Sequence, residues 1–354
     1  MRDPVNRAAA REPAETAPPV SSGVREVERE IDQTVDLCLP SGRLNPRAVG
    51  WSRFPRHRDN LTGWGRNKRF DYWCVVTPDV VLAFSISDTD YKSGFSLFCL
   101  DLATLTSAAD AEVKWLQRNH AMSAPWGTRP IVGSGKRLDV GIHPCDGGVR
   151  LSANSARVTA ELFVEIGEDH ESMGVLVPWS DRVFQYTRKD NCLPVTGKIS
   201  FDGRERVVGG TGSYATMDHG RGRWPYSIVW NWASASGVTD GHEIGLQFGA
   251  KWTDGTPSTE NSLRIDGRIE KISDELDWVY DPDDWMAPWQ IRGSGVEVEF
   301  HPVFHRASKF DKKIVLSRED QVFGRFSGTV TSRSGRTYQV EDHFGWAEEV
   351  HRRW

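Results

Sequence analysis

Apolar residues along most of this chain fall in short runs bounded by turn-forming residues. Runs of that kind predict β-strands. Phe70 to Thr77 and Val80 to Ser87 are two of them, separated by the turn pair Pro78-Asp79. Phe95 to Leu100, Arg137 to Ile142, Val149 to Ala153, Ala156 to Ile166 and Gly174 to Trp179 continue the pattern. So do Val183 to Thr187, Gly197 to Phe201, Arg204 to Val208, Ser227 to Ala233 and Glu243 to Phe248. Leu263 to Ile272, Val296 to Phe300, Phe323 to Thr331 and Thr337 to His343 complete it. Gly147-Gly148, Asn154-Ser155, Asp202-Gly203, Asp266-Gly267 and Ser334-Gly335 are hairpin-type turns. No long apolar stripe has the helical period. The best helix candidates are Ser107 to Gln117 and a short turn at Arg25 to Ile31. Many short strands predict an all-β protein, a barrel or a sandwich.

At 354 residues, two such bodies are more natural than one. The expected division is a disordered leader at 1–24, an N-terminal β-barrel domain at 25–185 and a C-terminal β-barrel domain at 186–354, with the seam near 180–200. The leader is rich in Pro, Ala and charge and almost lacks large apolar residues. Leu37 to His57 interleaves turn formers, aromatics and arginines, so it should follow a fixed irregular path over the body.

Charge changes this picture little. Lys plus Arg number 44 and Asp plus Glu 49, a net −5, which argues against a general nucleic-acid clamp. No apolar run is long enough to span a membrane, and the N-terminus has no secretory core. Five cysteines without a CxxC pair suggest a reducing cytoplasm and buried, inert thiols. The aromatic content matters more. The chain carries 15 Trp, and seven of them fall between Trp224 and Trp289, so indoles fill a core or line a ligand site.

That same stretch holds the densest polar motifs. It opens on Asp218-His219-Gly220-Arg221-Gly222, continues through Trp224 and Tyr226, and reaches Trp230-Asn231-Trp232. A histidine can hold or deliver a proton near neutral pH. Adjacent strand residues face opposite sides, so Asp218 need not point where His219 points. Trp230 and Trp232 share one strand face and could wall a cavity. In the strand after Glu243, Ile244, Leu246, Phe248 and Trp252 form one face, with Glu243, Gln247 and Lys251 on the other. Gly245 and Gly249 punctuate the polar face, as glycines do where a ligand or another chain segment comes close. Glu348 shares a face with Trp346 and is a second carboxylate candidate. Metal-ligand spacings, phosphate-binding glycine loops and nucleophile elbows do not occur, and no metal or cofactor is expected.

Together with Gly42-Arg43-Leu44-Asn45-Pro46, Tyr72-Trp73-Cys74-Val75, His170-Glu171-Ser172, Val177-Pro178-Trp179-Ser180, Lys251-Trp252-Thr253-Asp254-Gly255 and Gly345-Trp346-Ala347-Glu348-Glu349, these residues resemble the family called domain of unknown function 2804. The Asp-His run followed by a Trp-x-Trp strand is similar, more distantly, to tandem lipocalin-like proteins. Those are the carotenoid hydratases, the AttH-like proteins and the fungal decalin-forming pericyclases. This resemblance implies two calycin-type barrels with a cavity for a hydrophobic substrate near their junction. The hydratases have Asp-His-Asn-Trp-Gly where this chain has Asp218-His219-Gly220-Arg221-Gly222, so His219 is the residue that carries over.

The expected function is a metal-free isomerase, cyclase or hydro-lyase acting on an isoprenoid, polyketide or similar apolar molecule. His219, Asp218 and Glu348 would supply acid–base groups. Arg221, Trp224, Tyr226, Trp230, Asn231, Trp232, Gln247, Lys251 and Trp252 would bind substrate. A lipid carrier with the same cavity, or a glycan binder using its Trp surfaces, are the alternatives.

Overall fold

The computed structural model describes residues 27–311 and 316–353. The stretch 1–24, expected as a leader, lies outside them. The chain is almost wholly antiparallel sheet. One large sheet runs in the spatial order Ser107–Trp115, Lys92–Asp101, Val80–Asp88, Lys68–Val76, Tyr214–Arg223, Phe184–Phe201, Val158–Glu165, Gly148–Ser155, Leu138–Cys145 and Ile131–Ser134. It curls so that Phe95 and Leu97 from one flank share a core with Ile131 and Leu138 from the other. The second sheet runs Arg268–Ile272, Asn261–Ile265, His242–Ala250, Ser227–Thr239, Thr337–Arg353, Leu316–Thr331, Val296–Asp311, Trp289–Gly293 and Asp277–Val279. It curls around its own core, which contains Phe248, Trp289, Phe300 and Phe326.

The two-residue period sorts each strand between an inner face toward its own barrel core and an outer face. Trp73 and Val75 belong to the first core, whereas Tyr72, Cys74 and Val76 pack outward against Trp232, Phe323 and Trp346 of the second sheet. The hairpins follow the turn chemistry. Asp202-Gly203 and Asp266-Gly267 hold both central residues at positive φ, 50° and 77° in one and 48° and 86° in the other. That is the type I′ geometry.

Five expectations need correction. Ser107–Trp115 is an edge strand paired with Lys92–Asp101, not a helix. Its Ala, Glu and Lys content reads as helical, but the open edge of a sheet outweighs a weak propensity. The described part of the second helix candidate is extended, and Glu30 forms a parallel bridge with Trp51. The strand at Val183 to Thr187 does not stop at its charged residues but continues as Phe184–Phe201, with an irregularity between Asp190 and Leu193. It and Tyr214–Arg223 both belong to the first sheet, so the change of sheet falls between Arg223 and Ser227, downstream of 185/186. Finally, Cys38, Cys74, Cys99 and Cys192 are buried free thiols, but Cys145 is exposed.

Leu37 to His57 is irregular, with one turn of 3-10 helix at Pro46–Ala48 and a short strand at Gly50–Ser52, and the chain ahead of it is held by buried polar contacts. The carboxylate of Glu28 accepts hydrogen bonds from Lys271 Nζ at 2.6 Å and from the backbone and hydroxyl of Thr259, both at 3.0 Å. No helix among the described residues is long and apolar enough to cross a membrane.

Candidate functional site

The residues singled out by sequence divide among three places, because neighbours on one strand face opposite ways. His219 and Arg221 share the inner face of Tyr214–Arg223 with Met217, at one end of the first barrel's interior. Asp218, on the opposite face, points to the junction between the sheets.

In the first barrel, His219 Nδ1 lies 2.5 Å from Asp71 Oδ1. A carboxylate only accepts, so Nδ1 carries the proton and fixes the tautomer. Arg221 Nη2 donates to the other Asp71 oxygen at 3.0 Å. Burial and the Arg221 charge hold the His219 imidazole below its ordinary pKa. Burial opposes charge on Asp71, yet Arg221 and His219 keep its carboxyl below the usual range. The same end contains Arg188 paired with Asp190 at 2.6 Å and Arg69 paired with Asp90 at 3.1 Å. Buried charges persist when paired in this way.

The junction holds the larger group. Lys189 Nζ is 2.7 Å from Asp218 Oδ2, 3.2 Å from Glu260 Oε1 and 3.9 Å from the centre of the Trp232 ring. Trp232 Nε1 donates to Gln247 at 2.9 Å, and Trp252 Nε1 donates to Glu260 at 3.1 Å. Burial and the Asp218 charge push the Glu260 carboxyl up to about 6 despite Lys189. The glycines of this strand make room for these side chains. A Cβ at Gly249 would stand 2.7 Å from Glu260 Oε2, and one at Gly245 would stand 2.7 Å from the Asn191 amide.

Further along the junction, Glu348 accepts from Trp230 Nε1 at 3.0 Å and from Gln321 Nε2 at 3.0 Å. Gln321 also reaches the Tyr72 hydroxyl at 3.4 Å. Burial, with the nearby Glu319 charge, pushes the Glu348 carboxyl up to about 8. Burial thus favours its protonated form. Beyond it, Lys68, Phe70, Tyr72, Ser85, Ser87 and Lys92 of the first sheet's outer face are all half-buried, as are Trp230, Arg306, Glu319 and Arg352 of the second. Trp224 lies beside them, 5.9 Å from the Phe70 ring and 5.6 Å from the Trp230 ring, with its Nε1 donating to Gln185 at 2.5 Å.

The remaining candidates lie elsewhere. Asn231 faces the second barrel's interior, where its amide donates to the Tyr280 hydroxyl at 3.0 Å. Lys251 joins it there and donates to the Tyr280 hydroxyl at 2.7 Å and to Glu349. The strand ends at Ala250 and Lys251 is left-handed, with φ 71°, so the alternation fails at that point. This reverses the expected faces of Lys251 and Trp252, and Trp252 packs in the junction with Trp51 and Ile228. Tyr226 is half exposed.

The middle of the junction is apolar but filled, with Phe98 stacked on Phe323 at 5.5 Å and Trp232 edge-on to Trp346 at 5.0 Å. A separate groove of about 640 Å³, lined by residues that include Glu165, Glu168, His170, Glu243, Arg264 and Arg268, is charged. Neither is an open apolar cavity of the kind that the lipocalin-like resemblance implied. Among the described residues, no three His, Cys, Asp or Glu side chains converge as a metal-ligand set.

Lys189, Gln321, Lys68 and Asp71 were missed by sequence reasoning. Asp71 had a signal, because the two-residue alternation puts it on the core face with Trp73 and Val75. Lys189 falls between the strands expected at Val183 to Thr187 and Gly197 to Phe201, where the seam was expected.

Two curled antiparallel sheets, each around its own core and packed through their outer faces, define the class of paired lipocalin-like barrels. Solved structures share this architecture. A candidate AttH protein from Nitrosomonas europaea matches with a TM-score of 0.50 and 13% identity, over 80% of this chain and 92% of that one. Kievitone hydratase from Nectria haematococca matches with a TM-score of 0.52 and 10% identity, over 80% of this chain and 88% of that one. At these identities the likeness establishes the fold. The chain belongs to the family described as domain of unknown function DUF2804, which matches residues 28–354. No curated protein matches it in sequence.

Proposed function

We propose that the protein is an acid–base enzyme that binds a small, largely apolar molecule at the junction of the two sheets and protonates it from Glu348. The observation that carries this reading is the carboxyl itself, buried at the junction and hydrogen-bonded by Trp230 and Gln321, where burial and Glu319 raise its pKa to about 8. A carboxylic acid kept neutral beside aromatic faces can donate a proton to an alkene or enol, and the ring faces stabilise the cation that forms. Isomerisation, cyclisation and hydration all begin with such a step. The fold shared with a kievitone hydratase agrees with it.

A second reading rests on the His219–Asp71 pair, which is oriented as a general base inside the first barrel. The two centres lie on opposite faces of one sheet, so a single bound molecule uses one of them. Purified protein incubated in deuterium oxide with a panel of isoprenoid and polyketide compounds, followed by mass spectrometry, tests both. Deuterium uptake or a mass change that falls at least about 100-fold in Glu348→Gln supports the first reading. The same loss in His219→Ala, with Glu348→Gln active, moves the chemistry into the first barrel. Compounds that bind and are recovered unchanged make the protein a carrier.

A further inference from the structure

Strand pairing in the second sheet sets Arg306 opposite Gln321, Gln321 opposite Glu348 and Glu348 opposite Trp232. These residues alternate with Phe304, Phe323 and Trp346 and so share the face that packs toward the first sheet. Hydrogen bonds run along the row. Arg306 Nη1 donates to Gln321 Oε1 at 3.0 Å, and Gln321 Nε2 donates to Glu348 Oε2 at 3.0 Å and reaches the Tyr72 hydroxyl at 3.4 Å. Arg306 is itself held, with its guanidinium 4.6 Å from the centre of the Phe98 ring and 3.7 Å from Glu319. Gln321 is buried.

A guanidinium carries donors only, and an amide has one accepting end and one donating end. The contact with Arg306 therefore decides which way the Gln321 amide faces. Turned over, its NH2 would meet Arg306 donor to donor, and its carbonyl would accept the O–H of a protonated Glu348.

Resting on the reading of Glu348 as the proton donor, we infer that Gln321 and Arg306 are positioning residues for that acid. Arg306 holds the amide so that it gives Glu348 a hydrogen bond and does not take one. The acid proton is then left for the substrate instead of being tied to a neighbouring carbonyl. The carboxylate that remains after the proton leaves is met by two N–H donors, Gln321 on Oε2 and Trp230 on Oε1.

The electrostatics agree. The Trp230 hydrogen bond, Lys189 and Arg352 favour the charged form of Glu348, against burial and Glu319, which favour the acid. The groups facing Glu348 are thus Glu319 and Arg352 from its own sheet and Lys189 and the Tyr72 hydroxyl from the other. The donor to the Gln321 carbonyl is Arg306.

The test is a pH titration of the full chain, with tryptophan labelled for NMR. The Trp230 indole N–H is bonded to Glu348, so its resonance should move as Glu348 ionises. Trp230→Phe assigns the resonance, and Glu348→Gln should abolish the movement. In Arg306→Met the amide is free to turn and accept from the acid, so the Glu348 acid constant should fall at least about threefold. In Gln321→Met it should also fall. Adding Arg306→Met to Gln321→Met should then change it no further, because Arg306 acts through the amide. Urea unfolding checks each variant, and Gln321→Asn, whose amide is too short to bridge, replaces Gln321→Met if that variant does not fold. An unchanged midpoint in Arg306→Met, or the same fall with and without Gln321, would overturn the inference. A Trp230 resonance that does not titrate would overturn it as well. The readout is ionisation without substrate, and turnover by Glu348→Gln decides the acid–base reading separately.

Discussion

Asp71 joins the His219 imidazole to the Arg221 guanidinium, a cation that has no reason to be buried without it. It is fully buried, with His219 on one oxygen and Arg221 on the other. Replacing it with Asn keeps the shape and removes the charge. Arg221 then stays buried without its main counter-ion, and breaking a buried pair in this way costs about 3–5 kcal/mol. Asp71→Asn should therefore lower the urea midpoint strongly. His219→Gln should cost less, because the Asp71–Arg221 pair survives. The opposite order would show that His219 anchors this cluster. The acid side follows with its sign. The His219 pKa is lowered by folding, so its contribution is complete above the unfolded value near ~6.5 and is lost as pH falls below it.

Strands set which of these residues can meet, and two glycines show how finely. Gly220 and Gly222 lie on the outer face of Tyr214–Arg223, where their neighbours lie flat across the bare backbone. A Cβ at Gly220 would be 2.1 Å from the Phe70 ring and 2.4 Å from Gln185 Nε2. Gly220→Ala should therefore displace Phe70, and with it Trp224, which packs on Phe70 and bonds to Gln185. We expect a loss of roughly 1–3 kcal/mol by urea unfolding and a shift in tryptophan emission. Unchanged emission would mean that the packing of Trp224 does not depend on this strand. The Gly220-Arg221-Gly222 run was visible in the sequence, but its role was not, because it depends on partners from other strands. The same limit explains the rest. Alternation correctly separated Asp218 from His219 and placed Trp230 with Trp232. It failed at Lys251, where a left-handed residue ends the strand, and it ended too early at Thr187. There, Arg188, Lys189 and Asp190 are buried in the strand only because Arg188 pairs with Asp190 and Lys189 pairs with Asp218 and Glu260, partners that the local pattern does not show. The hairpin turns were legible because a pair such as Asp202-Gly203 carries its geometry locally.

At the scale of the whole molecule, what holds the barrels together also makes their junction sensitive to pH. Its middle is apolar packing, and its flanks carry carboxyls from the second sheet that face charge from the first. Glu348 is faced by Glu319 and Arg352 from its own sheet, and by Lys189 and the Tyr72 hydroxyl from the other. Folding raises its pKa from the ordinary 4.5 to about 8, and it raises that of Glu260 to about 6. A carboxyl raised in this way is bound as the acid by the folded state. Its burial costs nothing in charge below pH ~4.5, costs progressively more as pH rises through the folded value, and levels off above it. The junction should thus weaken between about pH 5 and 8.5, by roughly a few kcal/mol from Glu348. Urea midpoints measured across that range should fall for the parent protein. For Glu348→Gln, whose amide cannot ionise, the fall should be much smaller, and the variant should be the more stable of the two at pH 8.5. Parallel curves for the two proteins would show that Glu348 is ionised in the folded state at neutral pH, and the proton-donor role would go with it.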